Sequence, residues 1–348
     1  MSESPFLWLL STVRQSVVDG RVVLWNGDDC LTIEASPESA LLAITLLDGT
    51  RRASDLDGNL VLEAIVPHLE HEGWLVRLDR PLALSPDSPL SRQLAYFAHL
   101  ERERPDRALA ELRRSTVAVL GVGGIGGHAA LALAGAGVGR LLLFDPDVVA
   151  ASNLNRQVLY RRDDVGSRKV DVARRFLVER HEVEVRSHAL NPFLSPRAAA
   201  LLAGADLLLF SGDFEATVGR DGTVRELPRL PMLTAGYVGA TGVVGPIYRP
   251  DTACWACTAR MSEVSTLCLN ECPRPDGWNC SGSTVNGLLG ALAGEIATRF
   301  LAPSLGAPPL MDEILEVDMK TLAVRRTRAA AVPCEHRTTR GSHAVPVL

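Results

Sequence analysis

The fold of this 348-residue chain is decided by the stretch Thr116–Gly127, which reads TVAVLGVGGIGG. A run of apolar and β-branched residues that ends in a glycine-rich turn predicts a short buried strand followed at once by a helix. Glycines let the backbone turn tightly and approach a phosphate closely, while amide groups at the helix start face negative charge. The stretch therefore predicts a nucleotide-binding strand–turn–helix.

The residues beyond Arg114 continue this alternation of strands and helices. Further strands are predicted at Arg140–Phe144, Glu184–His188, Asp206–Phe210 and Met232–Ala235, and helices up to Ala136 and over Lys169–His181. Such alternation implies a mostly parallel sheet with helices on both faces. The predicted fold class is α/β with a Rossmann-like sheet.

The first 85 residues follow a different pattern. Two short strands flank the hairpin signal Asn26-Gly27, two helical stretches follow, and Trp74–Leu78 is typical of a strand. A segment rich in proline and serine, Arg80–Arg92, then indicates a linker. We predict a small winged-helix-like domain over residues 1–85, a second domain over 86–340 and a tail over 341–348.

The composition of the chain is typical of a globular protein and argues against nucleic-acid-binding and membrane proteins. The chain is 47% hydrophobic and 22% charged, as globular proteins are, and its net charge of −5 argues against a nucleic-acid partner. No apolar run reaches the roughly 20 residues that a membrane span needs, and the N-terminus lacks the basic start of a signal peptide. The 7 cysteines, with Cys254 and Cys257 spaced like metal ligands, fit a reduced cytoplasmic compartment.

The glycine turn alone is compatible with two ligands, NAD and ATP. Asp145 ends the second strand, where an acid can bind ribose hydroxyls of either NAD or ATP. The next segments favour ATP: the loop Ser152–Gln157 reads SNLNRQ, and Gly166–Lys169 opens a helix with GSRK. A triphosphate, whose charge moves as pyrophosphate leaves, gives Arg156 and Lys169 a chemical role. Either cation alone would more often be a solvated surface residue; both in this order favour a site.

These motifs resemble the ubiquitin-activating-enzyme-like superfamily, which includes the ThiF, MoeB and HesA adenylating proteins. The resemblance covers roughly residues 90–330 and implies that residues 86–340 form an adenylating domain that uses ATP and Mg²⁺. The residues that it assigns to the nucleotide are Gly121, Gly123, Gly124, Gly126, Asp145, Asn153 and Gln157. In the implied reaction a substrate carboxylate attacks the α-phosphorus of ATP and becomes an acyl-adenylate.

The resemblance also implies four catalytic residues, Arg92, Arg156, Lys169 and Asp213. Family members form dimers in which the arginine of an Arg-Gln pair reaches the partner's ATP, and Ser91-Arg92-Gln93 occupies that place, so a homodimer is implied. Asp213 corresponds to the magnesium ligand. The family usually has Asp-Asn there and this chain has Asp213-Phe214, so this role depends on its position after a strand.

A structural zinc ion is the third cofactor that the resemblance implies. Members often hold it with two Cys-x-x-Cys pairs, and Cys254, Cys257 and Cys334 match three of the four ligands. Arg337 stands where the fourth cysteine is expected, so His336 is the predicted replacement. The alternative is a degenerate site that binds no metal.

Three more cysteines lie in a stretch that crosses over the active site in relatives. Cys268, Cys272 and Cys280 include a second candidate for the fourth zinc ligand, and in some relatives a cysteine of this region receives the acyl group. No motif anchors any of the three, so we assign none as catalytic.

The N-terminal domain bears on the substrate. Its layout is similar to the peptide-modifying members of the microcin and pantocin maturation type, in which such a module binds the leader of a ribosomally made precursor peptide as an extra strand. We therefore predict activation of a carboxylate on a precursor peptide, either side-chain or C-terminal. The alternatives are an adenylyltransferase for a sulfur-carrier protein ending in Gly-Gly, and a non-catalytic or NAD-binding protein, against which Arg156, Gln157 and Lys169 argue.

Overall fold

The computed structural model describes residues 4–102, 104–192, 198–212, 230–249, 281–311 and 313–328. The chain packs into two compact units, Met1–Glu111 with Ala302–Gly306 and Leu112–Leu301 with Ala307–Leu348. The segment Arg80–Arg92, predicted as a linker, lies within the first unit, and the predicted domain boundaries stay a prediction. Within the described ranges no helix is both long and apolar enough to cross a membrane.

The described residues of the first unit form two small antiparallel sheets and four α-helices. Its strands are β1 (Phe6–Leu9), β2 (Arg14–Val18), β3 (Arg21–Asn26), β4 (Asp29–Ile33), β5 (Asp48–Arg52) and β6 (Leu75–Leu78). Its helices are α1 (Pro37–Thr45), α2 (Leu60–His71), α3 (Ser91–Leu100) and α4 (Pro105–Arg114), the last of which runs on into the second unit. The strand orders are β5-β1-β6 and β2-β3-β4.

The hairpin predicted at Asn26-Gly27 is present. Asn26 pairs with Asp29 across a two-residue loop, and Gly27 has φ 67°, a conformation that costs glycine nothing. Val22 and Leu24 of β3 are buried in one core with residues of α1 and α2. The small N-terminal sheet region with its helices therefore has its own apolar core.

The start of α2 provides a stability prediction. Asn59 caps this helix, and its Oδ1 accepts hydrogen bonds from Val61 N and Leu62 N at 3.1 Å each. Asn59→Ala leaves both donors without that acceptor and should lower the free energy of unfolding by about 1 kcal/mol in urea titration. Ser36 caps α1 by accepting one bond from Ser39 N at 3.3 Å and also donates from Oγ to Ser39 Oγ at 2.9 Å. Both bonds are exposed to water, whereas those of Asn59 are partly buried, so Ser36→Ala should cost less. An equal or larger loss at Ser36 would contradict this ranking.

The second unit is built on one eight-stranded sheet. Its strands are β7 (Thr116–Leu120), β8 (Arg140–Phe144), β9 (Glu184–His188), β10 (Leu207–Phe210), β11 (Met232–Val238), β12 (Thr241–Tyr248), β13 (Glu313–Asp318) and β14 (Val324–Arg328). Its helices are α5 (Gly124–Ala136), α6 (Lys169–Arg180), α7 (Ala198–Leu202) and α8 (Ser283–Leu301). The strand order is β14-β13-β12-β11-β10-β7-β8-β9. The five strands β7 to β11 are parallel to one another, and β12, β13 and β14 extend the sheet with antiparallel pairs.

Helices cover the two faces of the parallel part, as predicted. Helices α5 and α6 contact each other and pack against β7 and β8. Leu202 of α7 joins a separate apolar cluster with Ala118, Leu142 and Leu208. Every residue of β7 is buried, because a strand with helices above and below exposes neither face. The Rossmann-like α/β fold class is therefore confirmed.

Candidate nucleotide-binding site

The glycine turn lies where the chain reverses direction across the sheet. After β9 the chain returns past β8 and β7 to form β10, so the carboxyl ends of β7 and β10 flank a topological switch point, the usual place for a ligand in an open α/β sheet. Gly121 has φ 86°, and a Cβ there would lie 3.0 Å from the Gly212 nitrogen. The two strand ends meet this closely only because residue 121 has no side chain.

Helix α5 begins close against this turn. A Cβ on Gly126 would lie 1.9 Å from the Gly121 carbonyl oxygen and 2.4 Å from Ser211 Oγ. Gly123 caps the helix, and its carbonyl accepts a hydrogen bond from Gly127 N at 3.0 Å. The first amides of a helix have no intrahelical acceptor and favour an anion. The turn thus offers backbone donors to a phosphate.

Asp145 ties the turn to the end of β8. Its side chain is buried, with the residue 4% exposed; Oδ2 accepts from Val122 N at 2.8 Å and Oδ1 from Asp147 N at 2.9 Å. Burial raises the pKa of Asp145 above its ordinary value, against the opposing effect of Lys169. The carboxylate therefore orders the backbone of the turn. Each oxygen still has a second lone pair, and the ribose contact stays a prediction.

Lys169 lies at the start of α6 and is buried, with only 8% of its side chain exposed. Its Nζ contacts Asp147 Oδ2 at 2.7 Å, while the side chain of Asp147 is 62% exposed. Among the described residues its one ion-pair partner is turned to solvent, and a buried ammonium paired in this way is expensive as a purely structural pair. It leaves two further N–H donors for an anionic ligand.

Hydrogen bonds within the loop that follows Ala150 hold its conformation. Asn153 Oδ1 accepts from Ala150 N at 3.0 Å, and the Asn153 carbonyl accepts from Gln157 N at 2.9 Å. Arg156 Nη1 donates to Ser152 O and to Asn155 Oδ1, both at 2.8 Å. The guanidinium is therefore held by its own loop.

The buried side chain of Gln157 shows what kind of ligand the site fits. Its side chain is buried next to the turn, with Nε2 3.6 Å from the position that a Gly123 Cβ would take. Among the described residues no donor lies within hydrogen-bond distance of Gln157 Oε1. A buried acceptor without a donor is costly unless a ligand or water supplies one. Together with Lys169 and the turn amides, it fits a ligand that carries both anionic and hydroxyl groups.

Several residues around the turn were not predicted from the sequence. Asp147 pairs with Lys169, Tyr160 Oη donates to Val122 O at 2.6 Å, and Ser211 Oγ donates to Gly121 O at 3.0 Å. Asn286 of α8 lies against Gly124 and donates from Nδ2 to Gly282 O at 2.6 Å. Asp147, Tyr160 and Ser211 had a sequence signal in their places beside the predicted nucleotide loop and the predicted Asp213, whereas Asn286 had none.

The remaining predicted site residues are Arg92, in the first unit, and residues outside the described ranges. Arg92 is exposed on α3 of the first unit. Asp213, Cys254, Cys257, Cys334 and His336 lie outside the described residues, as do Cys268, Cys272 and Cys280. Over the ranges that are described, no group of three or more His, Cys, Asp or Glu side chains could hold a metal ion. The magnesium and zinc sites stay predictions.

Solved structures share this architecture over most of the chain. Escherichia coli MccB, in a structure with succinimide, is 21% identical with a TM-score of 0.66, covering 94% of this chain and 97% of that one. A structure of MccB, described as the microcin C7 biosynthetic enzyme, with N-formylated MccA gives the same TM-score at 20% identity and 94% and 98% coverage. PaaA is 23% identical, with a TM-score of 0.63 and 80% and 95% coverage. These similarities confirm the fold.

Sequence relatives match a shorter part. The chain is 32% identical over 187 residues to the adenylyltransferase and sulfurtransferase MOCS3 of Culex quinquefasciatus, covering 53% of this chain and 40% of the relative. It is 35% identical over 149 residues to the sulfur carrier protein ThiS adenylyltransferase of Escherichia coli K12, covering 42% and 59%. The chain thus spans less than two thirds of either relative. The model of the ThiF family matches residues 90–337, and the chain belongs to the ThiF family.

Proposed function

We propose that this protein uses ATP to adenylylate a carboxylate of a ribosomally made precursor peptide during maturation of a peptide natural product. One observation carries the adenylylation: a continuous set of contacts joins the glycine turn to a buried cation. Val122 N–H bonds Asp145, Asp145 accepts from Asp147 N–H, and the side chain of Asp147 bonds Lys169. Phosphate donors and a positive charge are thereby fixed at one end of the sheet.

This arrangement suits transfer of a nucleotidyl group. A carboxylate oxygen forms a bond to the α-phosphorus of ATP, the bond to the bridging oxygen breaks, and pyrophosphate leaves with that electron pair. The turn amides, Lys169 and Arg156 stabilise the charge that moves onto pyrophosphate, and no side-chain nucleophile is needed. Mg²⁺ would add positive charge at the phosphates, with Asp213 as its proposed ligand.

The N-terminal unit supports a peptide as the substrate. In the β5-β1-β6 sheet, loops cover the outer edges: Leu82 N donates to Gly49 O at 2.8 Å, Arg77 N to Arg102 O at 3.0 Å, and Arg104 N to Arg77 O at 2.8 Å. In the β2-β3-β4 sheet the outer strands pair only with β3 among the described residues. An open strand edge can accept an extended peptide as a further strand. We assign the leader of the precursor to this sheet.

Similarity to MccB adds to this proposal. That similarity covers 94% of the chain, and MccB structures include one with N-formylated MccA. We also propose a homodimer in which Arg92, exposed on α3, acts on the ATP of the partner subunit. The proposed structural zinc ligands are Cys254, Cys257, Cys334 and His336.

A second candidate function is adenylylation of a sulfur-carrier protein ending in Gly-Gly. The similarity to the ThiS adenylyltransferase and to MOCS3 favours it. Those relatives match 42% and 53% of the chain, less than the 94% covered by MccB, and this difference favours the peptide.

An assay with both kinds of substrate tests the proposal. The protein would be incubated with ATP and Mg²⁺ together with either a precursor peptide encoded beside it or a carrier protein ending in Gly-Gly, and AMP, pyrophosphate and substrate mass would be measured. We expect pyrophosphate release and a mass change on the peptide only. Adenylylation of the carrier alone would replace the first function by the second, and no turnover of ATP with either would refute both.

A further inference from the structure

We infer that Tyr160 and Ser211 are positioning residues that hold the glycine turn so that the Gly123 N–H faces a phosphate of the bound nucleotide. The inference rests on the proposed use of ATP. It concerns two peptide planes, the one between Gly121 and Val122 and the one between Val122 and Gly123. Side chains from three separate segments hold these planes by their polar atoms.

The first plane is held at both ends. Ser211, which follows β10, donates from Oγ to Gly121 O at 3.0 Å, and Asp145, which follows β8, accepts from Val122 N at 2.8 Å. The carbonyl and the N–H of a trans peptide point in opposite directions in one plane. Two partners on opposite sides therefore fix the rotation of this plane.

The second plane is held at one end only. Tyr160 Oη donates to Val122 O at 2.6 Å in a buried hydrogen bond. The other end of that plane is the Gly123 N–H, which has no hydrogen-bond acceptor among the residues that the structure describes. Because the peptide is trans, drawing the Val122 carbonyl toward Tyr160 turns the Gly123 N–H to the opposite side. A glycine turn of this kind gives such an amide to a phosphate oxygen.

The hydroxyl of Tyr160 is suited to this task. Burial, with Asp145, Asp147 and Asp164 nearby, raises the pKa of Tyr160 well above its ordinary value, so the phenol keeps its proton. Its backbone N–H also bonds Gln157 O at 3.3 Å, which ties the turn to the loop that carries Arg156. Without the phenol the Val122 carbonyl would be a buried acceptor that lacks a donor, and the plane could rotate.

The test measures binding of ATP and of adenosine by isothermal titration calorimetry to the full chain and its variants. Tyr160→Phe removes only the hydroxyl. We expect its Kd for ATP to rise about tenfold, the effect of one lost buried hydrogen bond, and its Kd for adenosine, which has no phosphate, to stay unchanged. The matched control is Tyr248→Phe, a buried tyrosine opposite Met232 at the other end of the sheet, which should change neither Kd.

Each outcome decides the inference. Equal weakening of ATP and adenosine by Tyr160→Phe, or no weakening of either, would overturn it. If Tyr160→Phe does not fold, as judged by circular dichroism, Ser211→Ala carries the same expectation and the same criteria. Failure of the wild-type chain to bind ATP would instead refute the proposed function, and the inference with it.

Discussion

Lys169→Met is expected to lower kcat/KM for ATP–pyrophosphate exchange by about 100- to 1,000-fold, the size of effect that follows when one preorganised electrostatic donor is removed from an active site. The lysine Nζ is buried and donates to Asp147 at 2.7 Å, and methionine fills much of the same volume without the charge. Asp147 is largely exposed and can be solvated by water once its partner is gone. The unfolding free energy should therefore change by less than about 1 kcal/mol.

A variant of the partner separates a binding role from a structural one. Asp147→Asn keeps an oxygen that can accept from Lys169 but removes the carboxylate charge. If Lys169 acts on phosphate, Asp147→Asn should reduce kcat/KM for exchange less than tenfold. If the ion pair serves only to hold the loop, Lys169→Met and Asp147→Asn should reduce kcat/KM equally. Equal losses of kcat/KM in Lys169→Met and Asp147→Asn, with equal losses of stability, would remove Lys169 from the proposed machinery.

The parallel half of the main sheet could be predicted because its strands are short, continuous apolar runs. β7, β8 and β10 are buried throughout or nearly so. The antiparallel half has no such signal. β12 contains Gly245-Pro246, which in a sequence indicates a break, and β14 is exposed along its whole length. β12 pairs with β13 from far along the chain, which local pattern does not encode. β14 forms a hairpin with β13 and has no buried face that would give it an apolar signal.

The same distinction applies to the site. Residues near the glycine turn in the sequence, such as Asp145 and Lys169, follow from motif spacing, and the structure brings them together through Asp147. Ser211 follows β10 and Asn286 belongs to α8, and no spacing rule gives the register that sets them against the turn. Asp145 shows a further limit. The motif indicates a ribose ligand, yet the structure shows a carboxylate that already bonds two backbone amides.

Asp145→Asn should therefore affect stability and activity together. The substitution replaces one carboxylate oxygen by an NH₂ group, so either Val122 N–H or Asp147 N–H meets a donor instead of an acceptor. One buried amide without an acceptor should lower the free energy of unfolding by about 1–3 kcal/mol in urea titration. The turn then loses its fixed orientation and the proposed ribose contact is weakened. Two such interactions, each worth about tenfold, predict a loss of about 100-fold in kcat/KM for pyrophosphate exchange.

A carboxylate at the opposite end of the same sheet, directly before β10, provides the matched control. Asp206 Oδ2 accepts from Thr116 N at 2.8 Å, but this side chain is exposed, so water can replace the bond in Asp206→Asn. We expect a change in unfolding free energy below about 1 kcal/mol and unchanged exchange activity. If Asp145→Asn lost stability but kept full exchange activity, Asp145 would order β8 and the turn without contributing to nucleotide binding. If both variants lost activity equally, damage to the sheet as a whole would account for the effect, because only Asp145 lies beside the glycine turn.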